Sequence, residues 1–147
     1  MPDRIFLDTS FVIALINQRD QYHAQAEALS HRFSNSALLT TGAVLLEIGN
    51  ALAKEFRMEA ASVIKVLSRS ARVEVTEVDS KLVEKGLAVY EKFTDKTWGL
   101  VDCISFVVMR EWGLTEVLTF DRDFEQAGFT LLTRALNAEF DMREKKI

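Results

Sequence analysis

The sequence predicts an α/β fold, with a central, mainly parallel sheet covered on both faces by helices. Two observations carry this. Short apolar runs of strand length alternate along the chain with longer segments whose apolar residues recur at helical spacing. No linker interrupts the alternation: the 147 residues contain one proline, Pro2, and six scattered glycines, so the pattern belongs to one domain. The composition, 48% hydrophobic and 27% charged, excludes a disordered acidic tail and a collagen-like repeat, and the single cysteine, Cys103, excludes a disulfide scaffold.

Residues 4–7 (RIFL) are a short apolar run stopped by Asp8-Thr9-Ser10, and residues 11–16 read as a turn or two of helix. Residues 21–33 are polar but helix-favouring, with Ala24, Ala28, Leu29 and Phe33 roughly on one face. Residues 37–41 form a second buried strand. Residues 43–56 place apolar side chains at 44, 45, 48, 51 and 52, which is helical spacing, and residues 59–70 follow as another helix built on Val63, Ile64 and Leu67. Residues 73–78 alternate with period two, a strand with one wet face. Ser80 is expected to cap a helix running through Phe93. Residues 100–112 are a helix dense in apolar residues and closed by Gly113. A strand at 116–120, a helical turn at 124–127 and a last strand at 130–132 complete the expected domain, 1–133, before a polar tail, 134–147.

Twenty-two acidic and 18 basic residues give a net charge of −4 and a pI near 5.3. That balance argues against wrapping nucleic acid by bulk positive charge, but not against an enzyme that meets it through bound cations. The longest uncharged stretch, residues 33–46, is broken by Ser, Asn, Thr and Gly and falls short of the roughly 20 apolar residues a membrane-spanning helix needs. The apolar run at 5–7 stops at Asp8, too short for the core of a signal peptide. The expectation is a cytoplasmic protein with no membrane contact.

Ligands in parallel α/β sheets sit at the carboxyl ends of the strands. Asp8 and Asp121 fall there, each directly after an apolar strand, while Glu47 and Asp102 lie in apolar helical surroundings where an unpaired charge is costly. Each has an ordinary reading. Asp8 and Asp102 suit helix N-termini, Asp121 suits a turn, and Glu47 suits pairing with a nearby Lys or Arg. One shared site accounts for them more economically. Two unit charges about 4 Å apart cost about 4 kcal/mol at an effective dielectric of about 20, so converging acids must be protonated or neutralised by a divalent cation. Removing these four from the 22 acids leaves 18, equal to the basic total. All-oxygen ligands point to Mg²⁺ or Mn²⁺ over zinc. His23 and His31 sit in one polar helix and Cys103 lacks a partner, so neither nitrogen or sulfur ligation nor a Ser-His-Asp or Cys-His mechanism has a well-placed base.

The segments IFLDTSFVIAL with Asp8, TTGAVLLEIGNAL with Glu47, WGLVDCISFVVM with Asp102 and VLTFDRDFEQAGF with Asp121 give the chain its resemblance to PIN-domain ribonucleases of the VapC toxin type, over about residues 4–133. The resemblance implies a three-layer α/β/α fold and a Mg²⁺- or Mn²⁺-dependent endoribonuclease acting on RNA phosphodiester bonds. It also implies a homodimer and a cognate antitoxin that inserts a segment near the active site. It assigns Asp8, Glu47, Asp102 and Asp121 to the acidic quartet, as catalytic residues and metal ligands. One ion is expected mainly on Asp8 and Asp102, and a second nearer Glu47 and Asp121. Ser10, or Thr9, matches the small hydroxyl residue after the first acid. Asn50 is a supporting candidate, Asp123 an alternative fourth acid, and Asp95 a weaker spare. Thr119 and Ser105 are candidate hydroxyl donors, and Arg122 a candidate phosphate contact. Two rival readings are a non-catalytic PIN-fold interaction module and a haloacid-dehalogenase-like phosphatase. The first has no need of clustered acids, and the second wants an aspartate where this chain has Ser10. Leu46, opposite the Val44/Ile48 stripe, marks either a partner surface or burial against the next helix.

Overall fold

The computed structural model describes residues 4–134. The chain runs β1 (Ile5–Leu7), α1 (Thr9–Ile16), α2 (His23–Arg32), β2 (Leu38–Thr41), α3 (Gly42–Ala51), α4 (Arg57–Arg69), β3 (Val73–Thr76), α5 (Ser80–Lys92), α6 (Leu100–Glu111), β4 (Glu116–Leu118), α7 (Asp123–Gln126) and β5 (Thr130–Leu131). Of the expected tail, all but Arg134 lies outside the described residues. No described helix is long and apolar enough to cross a membrane.

The five strands form one sheet in the order β3-β2-β1-β4-β5, and every pairing is parallel. β1 and β2 are buried throughout, as strands covered on both faces must be, which is why RIFL and ALLTT read as unbroken apolar or small-residue runs. Right-handed crossovers settle the layers. From β1 the chain steps outward to β2 and β3, laying α1–α4 on one face. It then returns across the sheet to β4 and β5, laying α5–α7 on the other. The result is a three-layer α/β/α fold. The direction of travel reverses between β1 and β4, so the crevice at their carboxyl ends is the switch point where such sheets bind ligands.

A chain of rings ties the α6 and α7 side to the sheet. Trp98 meets Phe106 at 5.0 Å, Phe106 meets Phe124 at 5.0 Å, and Phe124 meets Phe6 at 6.3 Å. Phe6, Phe106 and Phe124 are fully buried, and each lies within four residues of an acid singled out above: Asp8, Asp102 and Asp123. Core packing thus sets where those carboxylates stand.

Several element ends differ from expectation for local reasons. α1 starts at Thr9, two residues early. α3 stops at Ala51 rather than Phe56, because buried Leu52 turns the chain so that α4 can fold back onto α3, with Ile64 Cδ1 resting against Gly49. α5 is capped by Asp79, whose carboxylate accepts the Leu82 N–H at 2.8 Å, and Ser80 is the first helical residue. β4 ends at Leu118, which releases Thr119 and Phe120 from the ladder toward the crevice. Gly113 closes α6 as expected, at φ 68°.

Candidate active site

Asp8 follows β1 at the switch point and is 4% exposed. It occupies the N-cap position of α1, yet its side chain makes no capping bond, so helix capping does not explain it. Its Oδ2 instead accepts from Thr119 Oγ1 at 2.7 Å and lies 3.2 Å from Ser10 Oγ. Ser10 Oγ accepts the Phe120 N–H at 3.0 Å, and Thr119 Oγ1 accepts the Asp121 N–H at 3.0 Å. Two hydroxyls therefore clip the end of β1 to the residues leaving β4 while donating to a buried carboxylate. Thr133 Oγ1 donates to the Thr119 carbonyl at 2.8 Å and anchors this strand end from β5's side.

Glu47, half-buried on α3, accepts from Thr9 Oγ1 at 2.6 Å. Asp102 is the third residue of α6, where its Oδ2 accepts the Gly99 N–H at 3.1 Å in a capping-box arrangement. Asp121 Oδ1 accepts the Asp123 N–H at 2.9 Å, the turn that starts α7. The ordinary readings of Asp102 and Asp121 are thus real and leave each a second oxygen for other work. Among the described residues none of Asp8, Glu47, Asp102, Asp121 and Asp123 pairs with a Lys or Arg.

These acids lie close enough to act on one another's charge. Burial, and after it the charges of Asp8, Asp121 and Glu47, push Asp102 up from 3.8 to about 7, against the opposing Gly99 N–H. Burial raises Asp8 to about 6, with Asp121 adding to it and the Thr119 and Ser10 hydroxyls holding it down. Burial, then Asp121, also raises Asp123. A divalent cation fits this donor set: carboxylate oxygens of Asp102, Asp121 and Asp123 all lie within 4.8 Å of one another, and among the described residues no cationic side chain pairs with them. Asp8, expected to share an ion with Asp102, is the acid whose charge acts most strongly on it. The grouping of carboxylate oxygens that could share one ion runs through Asp123, while Asp8 accepts from two hydroxyls and Glu47 from one.

The remaining candidates separate. Thr9, Ser10 and Thr119 all bond to quartet carboxylates. Asn50 is exposed and makes no side-chain hydrogen bond among the described residues. Ser105 is fully buried with its hydroxyl unpartnered and so is not a donor to the acids. Asp95 is exposed beside Lys96, 3.7 Å away, and apart from the grouping. Arg122 follows Asp121 directly, is exposed, and lines a polar cavity of about 290 Å³ with Glu125, Gln126 and Arg134.

A PIN domain family model matches residues 5–130. The chain is 33% identical over 125 residues to the 23S rRNA-specific endonuclease VapC20 of Mycobacterium tuberculosis, in strains CDC 1551 and H37Rv alike, covering 85% of this chain and 95% of the relative. It superposes on the crystal structure of M. tuberculosis VapC20, a sarcin–ricin loop cleaving toxin, with a TM-score of 0.77 and 32% identity, over 86% of this chain and 96% of that one. The converging acids, the switch-point crevice and these likenesses agree, and the chain belongs to the PIN-domain family.

Proposed function

We propose that the protein is an endoribonuclease of the toxin type, which hydrolyses RNA phosphodiester bonds at the acids in the crevice between β1 and β4. The observation that carries this is the convergence of Asp8, Glu47, Asp102, Asp121 and Asp123 with no Lys or Arg among the described residues to neutralise them. Asp102, Asp121 and Asp123 would hold a divalent cation, Mg²⁺ or Mn²⁺ by the all-oxygen chemistry of the set, with Asp8 and Glu47 adjoining. When bound, the cation supplies the charge that lowers the pKa of water and stabilises the leaving oxygen. Thr119 and Ser10 donate to Asp8, which fixes its orientation and opposes the rise in pKa that burial causes, and Thr9 Oγ1 donates to Glu47 and orients it. Arg122, beside Asp121 and free of ion pairs among the described residues, meets the RNA phosphate.

The RNA is a structured ribosomal loop, by analogy with the sarcin–ricin loop that the M. tuberculosis relative cleaves. The partners are a cognate antitoxin and a second copy of the chain, in the cytoplasm. An exposed apolar row at Val83, Leu87 and Tyr90, spaced i, i+4, i+7 along α5, suits the second copy, and Leu46, 72% exposed on α3, is a separate surface for a protein partner. The test is cleavage of a sarcin–ricin-loop RNA with and without Mg²⁺. Asp102→Asn should slow it by about 100-fold or more with an unchanged circular dichroism spectrum. Cleavage at the wild-type rate by this variant would refute the assignment.

A further inference from the structure

Three aromatic rings form one stack beside the acids. Phe11 of α1 lies against Phe120 with centroids 5.9 Å apart and planes 15° apart, and Phe120 lies against Tyr22 at 4.4 Å and 5°. The other ring pairs among the described residues meet at interplanar angles from 32° to 85°, the tilted and edge-on contacts usual in a core. Among the described residues, near-parallel stacking is thus confined to this place. Phe11 is buried, whereas Phe120 and Tyr22 keep part of their surface in solvent. The middle ring belongs to the residue before Asp121, and its backbone N–H is held by Ser10 Oγ, itself a partner of Asp8. The segment between α1 and α2 brings Tyr22 back to this point. Asp20 Oδ1 accepts the Tyr22 N–H at 2.8 Å, and the Asp20 carbonyl accepts the His23 N–H at 3.0 Å.

We infer that the Tyr22 end of this stack is a nucleobase platform: when the scissile phosphodiester lies at the acids, a neighbouring base of the RNA stacks on the Tyr22 ring, which Phe120 and Phe11 back. The inference rests on the RNA-cleavage reading above and adds a specificity-determining contact to it. Every base has a flat π-face, and aromatic rings in single-stranded RNA sites use it. The stack also gives a protein of net charge −4 an uncharged grip on RNA, with Phe120 directly before Asp121.

The test is an abasic scan of the sarcin–ricin-loop RNA, nucleotide by nucleotide around the cut. With wild-type protein one position should lower kcat/KM by about 5- to 150-fold, the range for losing one base–aromatic stack. Tyr22→Leu should show the same loss on intact RNA and no further loss at that position, while Tyr22→Phe stays within about twofold of wild type. Indifference of the wild type to every abasic position overturns the inference, and so does a folded Tyr22→Leu whose loss simply adds to the abasic loss. Should Tyr22→Leu fail to fold, the wild-type scan and Tyr22→Phe decide. A wild type that cleaves no RNA defeats the nuclease reading instead. Quenching of 2-aminopurine placed in the same RNA then reads stacking directly: its presence in wild type and loss in a folded Tyr22→Leu support the platform, and its absence in wild type overturns it.

Discussion

A carboxylate taken out of water needs donors, and at Asp8 these are the hydroxyls of Thr119 and Ser10. Thr119→Val keeps the side-chain shape and removes the nearer donor. It also strips the Asp121 N–H of its acceptor. The expected cost is about 1–3 kcal/mol in urea unfolding, typical of stranding a buried polar group. Because the Thr119 bond lowers the Asp8 pKa, losing it should raise that pKa further above about 6 and move the acid limb of the pH–activity profile to higher pH. An unmoved acid limb would show that Asp8 does not set it. At this scale the sequence marked the acids more sharply than the hydroxyls, naming Thr119 and Ser105 alike as candidate donors although only Thr119 bonds an acid. Asp8, Glu47, Asp102 and Asp121 stood out because each interrupts an apolar segment, whereas Thr119 looks like any strand-end threonine, since the bond it makes joins residues 111 positions apart. The choice between Asp121 and Asp123 was illegible for another reason. Strand alternation does not reach either residue: β4 ends at Leu118, Asp121 lies in the turn, and Asp123 opens α7, where both carboxylates reach Asp102.

Between elements, the contact that most directly positions the site is α5 against α6. A Cβ added at Gly86 would come within 2.5 Å of Ile104 Cγ1 and 3.3 Å of the Ile104 backbone N. Gly86→Ala therefore has to part the two helices, and overpacking of this kind costs about 1–3 kcal/mol, set against the small gain in helix propensity from alanine. Asp102 stands two residues before Ile104, so the same displacement should slow RNA cleavage as well as lower the melting temperature. A Gly86→Ala protein as stable and as active as wild type would mean that α6 is not held through this contact. The glycine gave no signal in the sequence, where it sits in an otherwise regular amphipathic helix. What was legible at this scale is periodicity: the buried runs of β1 and β2 and the apolar density of α6 announced a sheet covered on both faces. What was not legible are the ends that tertiary packing decides. α3 stops where α4 must turn back over Gly49, and α5 takes its cap from Asp79 because that carboxylate, rather than the Ser80 hydroxyl, reaches the Leu82 N–H.

For the molecule as a whole, the clustered acids make folding, pH and cation binding one linked equilibrium. Asp8 at about 6 and Asp102 at about 7 both lie above their ordinary value of 3.8, so the folded protein retains protons that the unfolded chain releases. The sign follows: the cation-free protein has this stability in full below about pH 4 and loses it as pH rises through about 6 and 7. For Asp8 the rise corresponds to about 3 kcal/mol; Asp102 contributes less than its own rise implies, being more open to solvent. A divalent cation needs the deprotonated cluster and binds only the folded chain, so it should restore near pH 8 what deprotonation removed and do little near pH 5, where protons compete with it. In EDTA the melting temperature should therefore be higher near pH 5 than near pH 8, and Mg²⁺ or Mn²⁺ should raise it chiefly at the higher pH. The Asp8→Asn/Asp102→Asn double variant isolates the effect from the other carboxylates and from His23 and His31. It should melt higher than wild type near pH 8 in EDTA and show little response to the cation. If wild type and double variant changed in parallel with pH, and the cation stabilised both alike, the acids would not be acting together, and the charge balance of −4 would be spread over the surface rather than concentrated in one cation-binding crevice.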